Sequence, residues 1–152
     1  MQYDSIDILL VEDNMDDAEI AFRELKKGHL ANNLFHVKSG QEAISFVFAQ
    51  KKYEKKYKKR TALKVILLDI NMPGISGTEL LQQLKNDETT RDIPVIMLTS
   101  SRETEEIQKC YDLGASSYII KPLNFDAFAH AVKDFGFFWL LLNEAPTTRA
   151  EL

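Results

Sequence analysis

Short runs that are apolar at nearly every position alternate along this chain with longer stretches that are apolar only at helical spacing. The first kind comprises Ile6 to Val11, Leu34 to Val37, Val65 to Leu68, Pro94 to Leu98 and Tyr118 to Ile120. Runs apolar on both faces predict strands covered on both sides, as in a parallel sheet, rather than strands with one wet face. Between them lie stretches of about 10–14 residues with apolar positions three or four apart, the spacing of a helix face. Ile20, Ala21 and Leu25 mark the first of these, and Ala43, Ile44, Val47 and Phe48 the second. Leu80, Leu81 and Leu84 mark the third, Ile107, Cys110, Tyr111 and Leu113 the fourth, and Phe125, Phe128, Val132 and Phe135 the fifth. Ser39-Gly40 predicts the start of the second helix and Gly114 the stop of the fourth.

Five strand–helix pairs predict an α/β fold with right-handed crossovers and helices on both faces of one sheet, a (βα)5 three-layer sandwich. Ligands of such sheets bind beyond the carboxyl ends of the strands, where the strand order reverses. For the order 2-1-3-4-5 that point lies between the first and third strands, which end in Glu12-Asp13 and in Asp69. Thr99 and Lys121 end the fourth and fifth.

Each of these residues has a plainer use. Glu12-Asp13 could cap the first helix, Asp69 could form an Asx turn, Thr99-Ser100-Ser101 could be an N-cap, and Lys121 could be a surface lysine. At four strand ends on one edge of one sheet, they point instead to a site. Three carboxylates in one crevice repel, and a cation is the simplest remedy. All-oxygen donors suit Mg²⁺ (or Mn²⁺), with Asp13 and Asp69 as direct ligands, Glu12 acting through water, and the Asn71 backbone carbonyl completing the set. Lys121 could pair with Asp69 or with a phosphoryl oxygen, and Thr99 offers a hydroxyl nearby.

Val11-Glu12-Asp13-Asn14, Leu68 to Gly74 (LDINMPG), Leu98-Thr99-Ser100 and Lys121-Pro122, taken as a spaced set, resemble the receiver domain of two-component response regulators over residues 5–135. The resemblance implies a flavodoxin-like fold and a phosphoryl group accepted on Asp69 from a sensor histidine kinase. It further implies Mg²⁺ held by Glu12 and Asp13, phosphoryl oxygens stabilised by Lys121, and an acyl phosphate hydrogen-bonded by Thr99. Tyr118 would be the switching aromatic, signalling through the fourth helix, fifth strand and fifth helix. Asn71 and Ser101 would flank the attacking water and tune slow autophosphatase chemistry, and Lys121-Pro122 would be cis. The apolar end of the chain, Val-Glu-Asp-Asn and Asp16-Asp17-Ala18 resemble more narrowly the stand-alone receivers paired with bacterial and cyanobacterial phytochromes, which would make the donor a phytochrome-type kinase. Met15 departs from that pattern, where Pro is common, and touches only the helix start.

Length and composition set the remaining expectations. At 152 residues, 45% hydrophobic and 28% charged, the chain is expected to be one soluble receiver domain over residues 1–143 with a flexible tail at 144–152. It shows no export signal and no membrane span, and the lone Cys110 fits a reducing cytoplasm. Residues 51–64 carry seven Lys and one Arg against one Glu, a charge of +7, so the rest holds −4 minus +7, or −11. This basic insertion is expected to be a solvated helix end and loop between the second helix and third strand, since no DNA-reading motif accompanies it. The fifth helix turns wholly apolar over residues 135–142 (FGFFWLLL). A helix apolar all round needs cover on every side, so Phe135, Phe137, Phe138, Trp139, Leu141 and Leu142 are expected to form a homodimer interface. Besides a phosphorylation-switched protein signalling to a partner, an aspartyl-phosphate phosphohydrolase or a phosphorylation-indifferent dimeric adaptor would use some of these features. The first usually wants an acid two residues past its Asp, where this chain has Asn71.

Overall fold

The computed structural model describes residues 6–30, 33–58, 63–100 and 102–133. Five strands alternate with five helices: β1 (Ile8–Val11), α1 (Met15–Lys27), β2 (Leu34–Val37), α2 (Gly40–Tyr57), β3 (Val65–Asp69), α3 (Gly77–Asn86), β4 (Val95–Thr99), α4 (Thr104–Asp112), β5 (Ser117–Ile120) and α5 (Phe125–Lys133). The strands form one parallel sheet in the order β2-β1-β3-β4-β5. This is the expected flavodoxin-like topology.

Successive strand side chains point to opposite faces, so each apolar run feeds two cores. Leu9, Val11, Ile66, Leu68, Val95 and Met97 face Val47, Leu80, Leu84 and Cys110, under α2, α3 and α4. Ile8, Leu10, Val65, Leu67, Ile96 and Leu98 face Ala18, Leu25, Phe128 and Val132, under α1 and α5. Two wet-side layers of helix thus account for the absence of polar alternation in the central strands.

Local chemistry fixes the element ends. Asn14 caps α1 by accepting the Asp17 N–H at 2.9 Å, Ser39 caps α2 through the Glu42 N–H at 3.1 Å, and Gly114 follows α4 at φ +107°. Ser76 and Glu79 form a reciprocal capping box at the start of α3, each side chain meeting the other's backbone N–H at 3.2 Å. Ser76→Ala should therefore cost about 1 kcal/mol. Thermal melting checks this, and an unchanged midpoint would show the box to be energetically idle.

Several boundaries differ from expectation by one or two residues. The first strand begins at Ile8 rather than Ile6, although Asp7 is tied to both neighbours: its N–H donates to Asn33 O and its carbonyl accepts from Lys64 N, both at 2.8 Å. Pro94 stands before β4 because it has no N–H for the ladder, while its carbonyl accepts from Ile66 N–H at 3.0 Å. The basic segment divides. Residues 51–57 belong to α2, which runs for 18 residues, so they supply the expected helix end rather than a segment that follows the helix. Lys51 pairs with Glu54 at 3.2 Å, Tyr53 packs on Tyr57 with ring centres 4.8 Å apart, and Lys64 pairs with the buried Asp7 at 2.7 Å. Among the described residues no helix is long and apolar enough to cross a membrane.

Candidate functional site

Sheet register brings the strand ends together. Val11 pairs with Leu68, so the residues that follow, Glu12 and Asp69, stand side by side at the β1–β3 boundary. Asp69 pairs with Leu98, placing Thr99 one step further along β4, and Thr99 pairs with Ile120, just before Lys121. Glu12 is 1% exposed and Asp69 4%. One carboxylate oxygen from each of Glu12, Asp13 and Asp69 lies within 4.8 Å of the others, Asp13 being the most open of the three.

Among the described residues a single ammonium faces this cluster. Lys121 Nζ lies 2.8 Å from Glu12 Oε1, 2.9 Å from Asp17 Oδ2 and 3.2 Å from Asp69 Oδ1. Its side chain is 15% exposed, so it is not a surface lysine. The Lys121-Pro122 bond is cis, as expected. Asp17 was not among the expected site residues. It sits in the first turn of α1 beside Asp16, where an acid ordinarily complements the helix dipole, and no local signal separates the two.

Burial and then the neighbouring Glu12 carboxylate push the Asp69 carboxyl up to about 7, with Lys121 opposing both. Burial also pulls the Lys121 ammonium down, but its short contacts with Glu12 and Asp17, together with the charges of Glu12 and Asp69, outweigh that and hold it above the ordinary lysine range. One lysine thus leaves the acidic cluster short of positive charge. Glu12 Oε1, fully buried, meets Lys121 as a charge contact without an aligned hydrogen bond. An all-oxygen donor set, an under-compensated charge and a buried oxygen of this kind fit a hard divalent cation, which Glu12, Asp13 and Asp69 would hold. Asn71 stands at the rim, its N–H donating to Asp69 Oδ1 across a long 3.4 Å.

The site's other members connect it to α4 and β2. Thr99 is buried and its hydroxyl donates to Glu106 Oε1 on α4 at 3.3 Å. It does not cap α4, whose first residue follows Glu103. Tyr118 is 37% exposed and lies edge-on to Tyr111 of α4, ring centres 6.0 Å apart. From β2, Val37 O accepts the Glu12 N–H at 3.1 Å, and His36 Nε2 lies 2.7 Å from Glu12 O, so the Glu12 backbone is held from both ends. Neither His36 nor Glu106 could be picked out by local sequence, because each acts across an element junction. Ser101, Phe135, Phe137, Phe138, Trp139, Leu141 and Leu142 lie outside the described residues.

The family model of the response regulator receiver domain matches residues 8–133. The chain belongs to that family. Response regulator Rcp1 of Synechocystis sp. is 31% identical to this receiver over 133 residues, with 88% of each chain covered. The probable methanogenesis regulatory protein FilR2 of Methanothrix harundinacea is 30% identical over 139 residues, covering 91% of the receiver and 86% of the relative. Among solved structures, the bacteriophytochrome response regulator AtBRR is 40% identical, with a TM-score of 0.75 over 91% of the receiver and 98% of that chain. The Mn²⁺-bound form of Rcp1 superposes with a TM-score of 0.65 at 31% identity, over 88% and 93% of the two chains. The resemblance read from the strand ends therefore holds over the whole described domain.

Proposed function

We propose that this receiver accepts a phosphoryl group on Asp69 from a sensor histidine kinase and passes the change to a protein partner through α4, β5 and α5. The observation that carries this reading is the cluster of Glu12, Asp13 and Asp69 oxygens with Lys121 set against it at the switch point of the sheet. An Asp69 oxygen attacks phosphorus while the bond from phosphorus to the kinase imidazole nitrogen breaks, its electron pair returning to the ring. Little covalent chemistry is asked of the protein, so positioning and charge neutralisation supply most of the rate. A divalent cation bound by Glu12, Asp13, Asp69 and the Asn71 carbonyl would neutralise charge that accumulates on the phosphoryl oxygens. Lys121 would do the same. The phytochrome-type relatives support a light-sensing kinase as donor, and the Mn²⁺-bound Rcp1 supports the metal.

The switch would run through α4. Thr99 would exchange its bond to Glu106 for one to a phosphoryl oxygen, and Tyr118 would leave Tyr111 for the space this opens. The energy comes from contacts made only in the phosphorylated state. Asn71 and Ser101 would set the lifetime of the acyl phosphate by their effect on attacking water. A cytoplasmic homodimer through residues 135–142 completes the reading and rests on their sequence.

Incubation with a small acyl-phosphate donor tests it. Mass spectrometry should find a label on Asp69 that forms only with a divalent cation. A label elsewhere, or rapid turnover of assorted phosphomonoesters, would replace the receiver role by another acceptor or by a phosphohydrolase.

A further inference from the structure

Lys121 has three ammonium N–H donors and three carboxylates around it, and one of these belongs to no part of the cation cluster. Asp17 reaches it from the first turn of α1, 104 residues away in sequence, at 2.9 Å. That contact is closer than the 3.2 Å to Asp69. Asp17 keeps about a third of its own side chain in water (34%), whereas Glu12 and Asp69 are buried.

We infer that Asp17 is a positioning residue: it takes up part of the Lys121 charge from the α1 side and so weakens the ammonium's hold on Glu12 (2.8 Å) and Asp69 (3.2 Å), whose oxygens a divalent cation needs. Lysine and metal compete for the same oxygens. With only Glu12 and Asp69 as partners, the ammonium would share its whole charge between two groups the cation needs. The third carboxylate takes part of that charge away. It does so from a fixed place, because the Asp17 backbone N–H is held by the Asn14 side chain at 2.9 Å. Asp17 thereby sets the balance between a lysine-closed and a cation-open site, an effect that would not be seen in the ligands themselves. The inference rests on the cation site proposed above.

Mg²⁺ titration calorimetry on the full chain tests it, with no phosphoryl donor present. Asp17→Asn, which keeps the shape and an acceptor oxygen but removes the charge, is expected to weaken Mg²⁺ binding by about three- to tenfold. Asp16→Asn serves as the control, since Asp16 lies in the same turn with the same charge and is not among the partners of Lys121. It should leave the affinity within about twofold. In a Lys121→Met background the Asp17 effect should disappear, because the competitor is gone. Equal losses for Asp16→Asn and Asp17→Asn, or an undiminished Asp17 effect without Lys121, would reduce the residue to one more surface charge and overturn the inference. An unchanged affinity in Asp17→Asn would do the same. A wild-type chain that binds no Mg²⁺ would instead remove the cation site, and this inference with it.

Discussion

Asp69→Asn is expected to lose phosphoryl labelling entirely and, in the absence of divalent cations, to be the more stable protein at neutral pH. The second outcome follows from where the carboxylate sits. Its folded-state value is pushed up to about 7 by burial and by Glu12, against an ordinary 3.8. Between those values the folded state holds a proton that the unfolded state has released, so wild-type stability falls as pH rises through this window. Below about pH 4 both states are protonated and nothing is lost. At pH 8 the full cost is present, and about three pH units at ~1.4 kcal/mol each put its ceiling near 4 kcal/mol. An uncharged amide of the same shape escapes that cost. The variant should thus gain about 2–4 kcal/mol at pH 8, or roughly 5–15 °C in melting midpoint, and close to nothing at pH 4. Adding Mg²⁺ should raise the wild-type midpoint and narrow the gap, since a ligand that binds only the folded state stabilises it by mass action. Equal midpoints for the two proteins at pH 8 would mean that Asp69 is not under the charge strain its surroundings imply. Melting curves at pH 4, 6 and 8, with and without Mg²⁺, decide the matter.

The fold was legible because its physical cause is repetitive. Runs such as Val65 to Leu68 supply alternate residues to two cores, so they must be apolar throughout, and that feature survives in a single sequence. Element ends were less legible. Pro94 and Asp7 fall within runs that read as strands although neither residue type favours one, and they do bond to neighbouring segments, but outside the regular ladder. Composition left open where α2 ends. A dense lysine run reads as helix end and loop alike, and residues 51–57 are the helix end, with Lys51–Glu54 pairing and Tyr53–Tyr57 packing along its surface.

The site divided along a different line. Glu12, Asp13, Asp69, Thr99 and Lys121 were legible because each ends an apolar run, and topology alone brings those ends together. Asp17, His36 and Glu106 were not, since each reaches the site sideways from a helix or an edge strand. Their contacts depend on side-chain direction and on how far one element overhangs another. No spacing rule within a single segment encodes that. The result is a site whose charged centre can be found from sequence while the residues that restrain it cannot.

One restraint is made of backbone alone, and it carries the other large expected effect. Gly77 is the first residue of α3, and its N–H donates to Ile70 O at 2.8 Å, binding the helix start to the segment just past Asp69. A Cβ at this position would collide with the Asp69 carbonyl oxygen and stand 2.7 Å from Ile70 Cα. Both obstacles are main chain, so no rotamer change can relieve them; α3 must move away or the loop after Asp69 must bend. Gly77→Ala should therefore cost about 2–4 kcal/mol, toward the upper end of overpacking penalties. It should also slow labelling of Asp69 more than any loss of folded protein explains, because the displaced backbone carries the proposed acceptor. Gly74 provides the contrast. It lies in the same loop at φ +76° with nothing within 4 Å of the added carbon, so Gly74→Ala meets only the conformational cost, about 1 kcal/mol. Denaturant titration of both variants, with labelling rates corrected for the folded fraction, separates the two. A Gly77 variant no less stable than the Gly74 one would show that the approach of α3 to Asp69 is loose, and that the proposed acceptor is not held by its backbone.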